Sequence, residues 1–193
     1  MLAAIKHNLT HLLDFGGRDA RPTFWYYVLF LFLLNLLGGL LLTIPTIVEA
    51  TSVAMDAAQS GDQAAVNSAM AASMSGMTAT VVWGSVAMGA ANVLLLAAAF
   101  VRRLHDAGFA GWWALLAVAA QAYALAQAVM RIDEAEALAR AAIENSMTTQ
   151  EVFASGGGAR LESLIGWVPT LLVIGFGILK STPGANRFGE EPA

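Results

Sequence analysis

Long runs of apolar residues alternate with shorter polar stretches along this chain. Four of these runs contain no Asp, Glu, Lys or Arg: residues 24–48, 78–101, 111–130 and 164–179. A helix needs about 20 mostly apolar residues to cross the hydrocarbon core of a bilayer. The pattern therefore predicts an all-α integral membrane protein, a four-helix bundle that forms a single membrane domain over residues 1–193. The fourth run is the shortest, and Pro169 interrupts it.

The polar stretches at residues 49–77 and 131–163 are rich in Ala, with Glu, Asp, Gln and Met between the alanines. Most of these residue types favour helix, so both stretches are predicted to extend the bundle as helices outside the membrane. Near the N-terminus, apolar residues recur at helical spacing: Leu2, Ile5, Leu9, Leu12 and Leu13. This spacing predicts a short amphipathic helix that lies on the membrane surface.

Basic residues are distributed unevenly between the two sides that the four spans define. Seven lie before the first run, between the second and third, or after the fourth: Lys6, Arg18, Arg21, Arg102, Arg103, Lys180 and Arg187. The two Ala-rich stretches together hold only Arg131, Arg140 and Arg160. Because cytoplasmic segments carry the excess of Lys and Arg, both termini are predicted to be cytoplasmic. Phe24 to Tyr27 are predicted to form an aromatic belt at headgroup depth.

The overall composition agrees with this assignment and excludes some functions. Of the 193 residues, 58% are hydrophobic and 12% are charged, whereas about 25% of a soluble domain is charged. The chain has no cysteine, which excludes disulfides, thiolate metal sites and thiol catalysis. Its basic residues are few and close to the predicted membrane, so nucleic-acid binding is not expected.

Three sequence blocks flank the predicted spans on the cytoplasmic side: FGGRDARPTFWYY from Phe15, RRLHDAGFAGWW from Arg102, and PGANRFGEEP from Pro183. In kind and order they resemble the signature blocks of a bacterial inner-membrane family known as domain of unknown function 805. The resemblance covers the spans and the inner face. It implies a small multi-pass protein of the bacterial inner membrane, and it implies no particular activity.

The predicted topology brings the polar residues of the three blocks to one cytoplasmic face: Arg18, Arg21, Arg102, Arg103, His105, Asp106, Asn186 and Arg187. The arginines are expected to close helix ends and contact anionic lipid headgroups, and Asp106 to pair with Arg102 or Arg103. Guanidinium groups also suit a specific phosphate or carboxylate ligand. A third alternative is acid–base catalysis by His105 and Asp106, although no nucleophile or second carboxylate accompanies them at a diagnostic spacing.

A metal site is a further alternative, because His7 and His11 are four residues apart and share a helix face. The simpler interpretation is that these histidines occupy the wet side of the surface helix. No catalytic residue, metal or cofactor is therefore predicted.

Each predicted span carries one uncharged polar residue near its middle: Asn35, Asn92, Gln121 and Thr170. Counted at 1.5 Å per residue, all four lie roughly 14–16 Å from the cytoplasmic end of their span. Polar groups in lipid seek partners, so we expect a polar layer that faces the bundle interior. Such a layer is typical of interhelical packing, and it is also compatible with a path for a substrate or ion. Ser85 and Gly89 permit close helix approach within the chain or in a homo-oligomer.

The favoured function is that of a non-enzymatic inner-membrane protein whose basic cytoplasmic face binds anionic lipid headgroups or a partner. One alternative is a small transporter or channel that uses the polar layer. A second is a membrane enzyme that acts at the inner headgroup plane.

Overall fold

A computed structural model describes residues 1–59, 61, 63–145, 147, 150–151 and 164–192 of the protein. These residues are mainly helical and form no named strand. The helices are α1 Leu2–Thr10, α2 Arg21–Gln59, α3 Gln63–Asp106, α4 Trp113–Met130, α5 Ile132–Glu144 and α6 Val168–Ile178. The prediction of an all-α protein is therefore confirmed for the described part of the chain.

Three of the helices are long and apolar enough to cross a membrane. The qualifying segments are Arg21–Asp56, Val66–Asp106 and Trp113–Met130. The run predicted as the fourth span forms α6, an apolar helix of 11 residues. At 1.5 Å per residue α6 is roughly 16 Å long, about half the thickness of a hydrocarbon core. Three of the four predicted spans are thus supported by length and composition, and the fourth helix is too short to span by itself.

The Ala-rich stretches continue the helices, as their composition predicts. α2 runs past the first apolar run to Gln59, and α3 begins at Gln63, on either side of a turn in which Gly61 has a φ of 71°. α5 follows α4 almost directly. Residues 152–163 of the second stretch lie outside the described part.

The chain divides into two compact units by its internal contacts. The second unit comprises Leu37–Ala87 and Leu125–Leu161. In it, the Ser75 hydroxyl of α3 donates a hydrogen bond of 2.7 Å to Glu136 of α5, and Arg140 donates one of 3.2 Å to the Ser75 oxygen. These polar contacts tie α5 to the N-terminal half of α3.

The first unit comprises Met1–Leu36, Met88–Ala124 and Glu162–Ala193, and it holds the main apolar core. The buried core residues come from α2, α3 and α4: Phe24, Tyr27, Leu31, Ala99, Phe100, Val101, Leu104, Ala114 and Ala117. Leu172, Val173 and Phe176 of α6 pack against them. Phe24 and Tyr27 are fully buried here, whereas Tyr26 is exposed. The predicted aromatic belt is therefore wrong for Phe24 and Tyr27, because their spacing of three residues turns both toward the core.

A glycine allows α6 to approach α2 closely. A Cβ atom on Gly177 would lie 2.8 Å from Trp25 Cζ2, which is shorter than real contacts allow, and 3.0 Å from Phe24 Cε1, which is tighter than most real contacts. The Gly177 carbonyl accepts a hydrogen bond of 3.1 Å from the Trp25 indole nitrogen. The aromatic side chains of α2 and the bare backbone of α6 thus form one fitted contact.

We expect Gly177→Ala to lower the free energy of unfolding by about 1–3 kcal/mol, because the added methyl group overpacks this contact. Gly175→Ala is the matched control: it lies two residues away in the same helix, and a Cβ there would meet nothing within 4 Å. Thermal unfolding of both variants in detergent checks this. An equal melting temperature for the two would contradict the close approach of α6 to α2.

Candidate functional site

The three sequence blocks, called motifs from here on, meet at one place in the first unit, and Arg18 joins them. Its Nε and Nη2 donate hydrogen bonds of 3.2 and 3.0 Å to one carboxylate oxygen of Asp106. Its Nη2 also donates to the Thr182 carbonyl at 2.6 Å. Its Nη1 donates to the carbonyls of Gly184 and Gly189, at 2.6 and 3.3 Å. These five bonds use all five N–H groups of a guanidinium.

Arg102 holds the N-terminal helix in place. Its Nε donates a hydrogen bond of 3.0 Å to Asp19, and its Nη2 donates one of 2.6 Å to the Asn8 side chain in α1. Its Nη1 donates to the carbonyls of His11 and Asp14, at 2.9 and 2.5 Å. In return, the Asp19 amide donates to the Arg102 carbonyl at 3.2 Å. The end of α3 thereby fixes α1 and the loop that follows it.

Arg103 and Asp106 connect the end of α3 with the chain that follows α6. Arg103 donates to the second carboxylate oxygen of Asp106 and to the Leu179 carbonyl. The Ser181 hydroxyl donates to the same Asp106 oxygen at 2.5 Å. The backbone amide and hydroxyl of Thr182 donate to the Asp106 carbonyl at 2.8 and 3.0 Å. Asp106 thus contacts two arginines and the C-terminal segment at once.

We call Arg18, Asp19, Arg102, Arg103 and Asp106 the arginine–aspartate cluster. All five residues are buried, and Arg103 and Asp106 have no exposed surface. Within the described residues, no buried side-chain nitrogen or oxygen lacks a hydrogen-bond partner. Buried charges are tolerated when they are paired and fully hydrogen-bonded. The cluster therefore meets the physical conditions for a structural ion-pair network.

His105, Asn186 and Arg187 lie at the edge of the cluster. The His105 ring stacks on Phe188 at 3.9 Å between centroids, and its Nδ1 lies 3.2 Å from the Gly17 carbonyl. The Asn186 side chain donates a hydrogen bond of 3.0 Å to the His105 carbonyl. The Arg187 guanidinium is exposed and lies 4.6 Å from the centre of the Phe188 ring. The structure thus brings the third motif onto the second.

Arg21, Lys6 and Lys180 differ from the arginines of the cluster in being at least partly exposed. Arg21 is the first residue of α2 and is half-buried, and Lys6 and Lys180 are exposed. Within the described part of the chain, none of these three has an ion pair or a side-chain hydrogen bond. Their charges remain available to groups outside the chain.

The contacts of Asp106 and the three histidines bear on the alternatives of acid–base catalysis and metal binding. The Asp106 carboxylate is enclosed by Arg18, Arg103 and Ser181, and it makes no hydrogen bond with His105 among the described residues. A histidine general base oriented by its neighbouring carboxylate is therefore not formed. The described residues also hold no group of three or more His, Asp and Glu placed to bind a metal. His7 lies 3.1 Å from Asp19, and the His11 ring bonds to the His7 carbonyl.

The four residues of the predicted polar layer line one cavity in the first unit: Asn35, Asn92, Gln121 and Thr170. The side chains of Asn35 and Asn92 donate to each other, at 2.9 and 2.7 Å. Each also donates to the carbonyl four residues earlier in its helix. This closed amide pair has the geometry of interhelical packing.

Several members of the site were not identified from the sequence. Asp19 pairs with Arg102, where the sequence suggested Asp106 as a candidate partner, and Asn8, Ser181 and Thr182 complete the bonding. Asp19 directly follows Arg18 in the first motif, so the alternation of charges in RDAR was an available signal. Ser181 and Thr182 carried no signal, because their role depends on where the chain leaves α6.

We expect Asp106→Asn to lower the free energy of unfolding by about 3–5 kcal/mol, because it leaves two buried guanidiniums without their carboxylate. Asp56→Asn is the matched control, since Asp56 lies on α2 and is exposed. Thermal unfolding in detergent, followed by tryptophan fluorescence, measures both. If Asp106→Asn unfolds at the temperature of Asp56→Asn, the cluster does not stabilise the fold.

The comparisons with known proteins agree with the motifs. Searches of curated proteins and of solved structures found no match. One family model, described as a protein of unknown function (DUF805), matches residues 12–190. This range contains the first two motifs, the helices that follow them and the third motif as far as Glu190, so the resemblance seen in the sequence is confirmed. The chain belongs to the DUF805 family of proteins of unknown function.

Proposed function

We propose that this protein is a multi-pass protein of the bacterial inner membrane with both termini in the cytoplasm. Its role is non-enzymatic, and its cytoplasmic face binds anionic lipid headgroups. The observation that carries this proposal is the position of α1, which the buried cluster fixes with its leucines facing outward.

The exposure pattern of α1 is that of an interfacial helix. Ala4 and Asn8 are buried against the protein, whereas Leu2 and Leu9 are 79% and 41% exposed. Leu13, just after the helix, is 88% exposed. Exposed leucines are unfavourable in water and favourable at the boundary between headgroups and acyl chains. The bonds from Arg102 to Asn8, His11 and Asp14 hold α1 in this orientation.

The available cations support the choice of an anionic lipid as ligand. Lys6 lies in the same helix as the exposed leucines, Arg21 begins α2, and Lys180 follows α6. Among the described residues these three side chains have no ion pair, and neither has the exposed Arg187, which stacks on Phe188. A basic residue near an anionic membrane surface contributes about 1 kcal/mol of attraction. The cluster arginines, with donors directed into the protein, act as the support.

The orientation is supported by the contacts between the two ends of the chain. Arg18 precedes α2, Asp106 ends α3, and Gly184 follows α6, and hydrogen bonds join all three. These contacts support a topology in which the three segments share one side of the membrane. Because basic residues predominate on that side, the positive-inside rule makes it cytoplasmic.

We expect the variant with Lys6→Gln, Arg21→Gln and Lys180→Gln to lose most of its preference for phosphatidylglycerol over phosphatidylcholine with the same acyl chains. At about 1 kcal/mol per charge the affinity falls by up to about two orders of magnitude. Native mass spectrometry of the purified protein, titrated with each lipid, gives the measurement.

The matched control is Arg131→Gln with Arg140→Gln, in the stretch predicted to lie outside, and it should keep the preference. An unchanged preference in the triple variant contradicts lipid binding at this face. A parent protein without lipid preference that co-purifies with another protein would point to a protein ligand, provided that only the triple variant loses this partner.

Fusions test the orientation. We expect a green fluorescent protein at either terminus to fluoresce and alkaline phosphatase at the C-terminus to be inactive, because the two reporters require opposite sides of the membrane. Alkaline phosphatase inserted after Gly61 should be active. An active phosphatase at the C-terminus would overturn the proposed topology.

A further inference from the structure

A cavity of about 630 Å³ lies among α2, α3, α4 and α6 in the first unit. Small-molecule sites typically have volumes of about 300–1,000 Å³ and mostly apolar walls with a few polar groups. This cavity has that character: aliphatic and aromatic side chains form most of its wall, including Trp25, Phe32 and Phe100. Among the described residues, no lysine, arginine, aspartate or glutamate lines it.

The polar groups in the wall fall into two pairs. Asn35 and Asn92 satisfy each other through their reciprocal hydrogen bonds. Gln121 of α4 and Thr170 of α6 also line the cavity, and within the described residues neither side chain has a hydrogen-bond partner. Polar groups in apolar surroundings are normally paired. Gln121 is half-buried and Thr170 is exposed, so both groups are accessible to a ligand that supplies the missing partner.

The uncharged wall limits the chemistry of that ligand. A carboxylate, phosphate or ammonium group would lose its hydration without gaining an opposite charge. Gln121 lies eight residues after the start of α4 and Thr170 lies eight residues before the end of α6. Roughly 12 Å of helix therefore separates each from the headgroup side. A phospholipid cannot bring its ester oxygens to this depth without drawing its charged headgroup into hydrocarbon. A neutral lipophile can.

We propose that this cavity binds a neutral lipophilic molecule that carries a carbonyl oxygen on a flat ring. The Gln121 amide N–H and the Thr170 hydroxyl are the hydrogen-bond donors to it. Trp25, Phe32 and Phe100 provide aromatic surface against which a ring packs. This site is independent of the proposed headgroup binding, since none of the basic residues lines the cavity.

The experiment uses the full-length protein in detergent and two probes that differ in their oxygens. Decylubiquinone carries ring carbonyls on a decyl tail, and decylbenzene has the tail and a ring without oxygen. Native mass spectrometry gives the stoichiometry and the dissociation constant of each. We expect one decylubiquinone per chain and weaker binding of decylbenzene.

Gln121→Leu and Thr170→Val are each expected to weaken decylubiquinone binding about three- to tenfold, as loss of one hydrogen bond predicts. Neither should change the affinity for decylbenzene. Thr170→Ser keeps the hydroxyl and should keep the affinity. Gln127→Leu is the matched control on α4, because Gln127 does not line the cavity. Val118→Trp fills the cavity and should abolish binding of both probes.

Three results would overturn the proposal. One is equal decylubiquinone affinity in the parent, Gln121→Leu and Thr170→Val. Another is binding that survives Val118→Trp, which would place the probe elsewhere. The third is displacement of decylubiquinone by one equivalent of phosphatidylglycerol, which would assign the cavity to a phospholipid acyl chain. Melting temperatures of all variants identify any that fail to fold, and Thr170→Val, nearly isosteric with the parent, keeps the test decisive.

Discussion

The arginine–aspartate cluster depends on the buried carboxylate of Asp106. This carboxylate has no exposed surface, and it accepts hydrogen bonds from Arg18, Arg103 and Ser181. Each of these donors belongs to a different part of the chain. An unpaired charge at this depth would be strongly unfavourable, and so would either arginine without the carboxylate. The pairing makes the first loop, the end of α3 and the segment after α6 adopt one common arrangement.

The sequence predicted the helices well, because long uncharged runs and Ala-rich stretches leave few alternatives to helix. Helical rise alone led us to expect Asn35, Asn92, Gln121 and Thr170 in one polar layer, and the four side chains line one cavity. The sequence did not predict the length of α6. An apolar run shows where a helix is favourable. It does not show that a turn at Gly166–Trp167 interrupts the run, so that α6 begins only at Val168.

The sequence predicted the contacts of the arginine–aspartate cluster less well than it predicted the helices. The arginines were recognised, and their expected role was contact with lipid or ligand, because Arg at a span end is usually exposed. Their burial depends on carbonyls of Thr182, Gly184 and Gly189, which no pattern of side chains reveals. The run of aromatic residues suggested a belt at headgroup depth, but Phe24 and Tyr27 lie in the core. Both differences come from tertiary contacts between segments far apart in the chain.

The order in which the chain is synthesised gives the cluster a further consequence. Arg18 and Asp106 are made before Thr182 and Gly184, so a nascent protein carries these charges before their last partners exist. Until the segment after α6 arrives, Arg18 lacks three of its five hydrogen bonds. The cluster is therefore complete only in a chain that has been synthesised beyond α6. A chain stalled or cut before Thr182 would leave Arg18 and Asp106 without the partners that the last segment supplies.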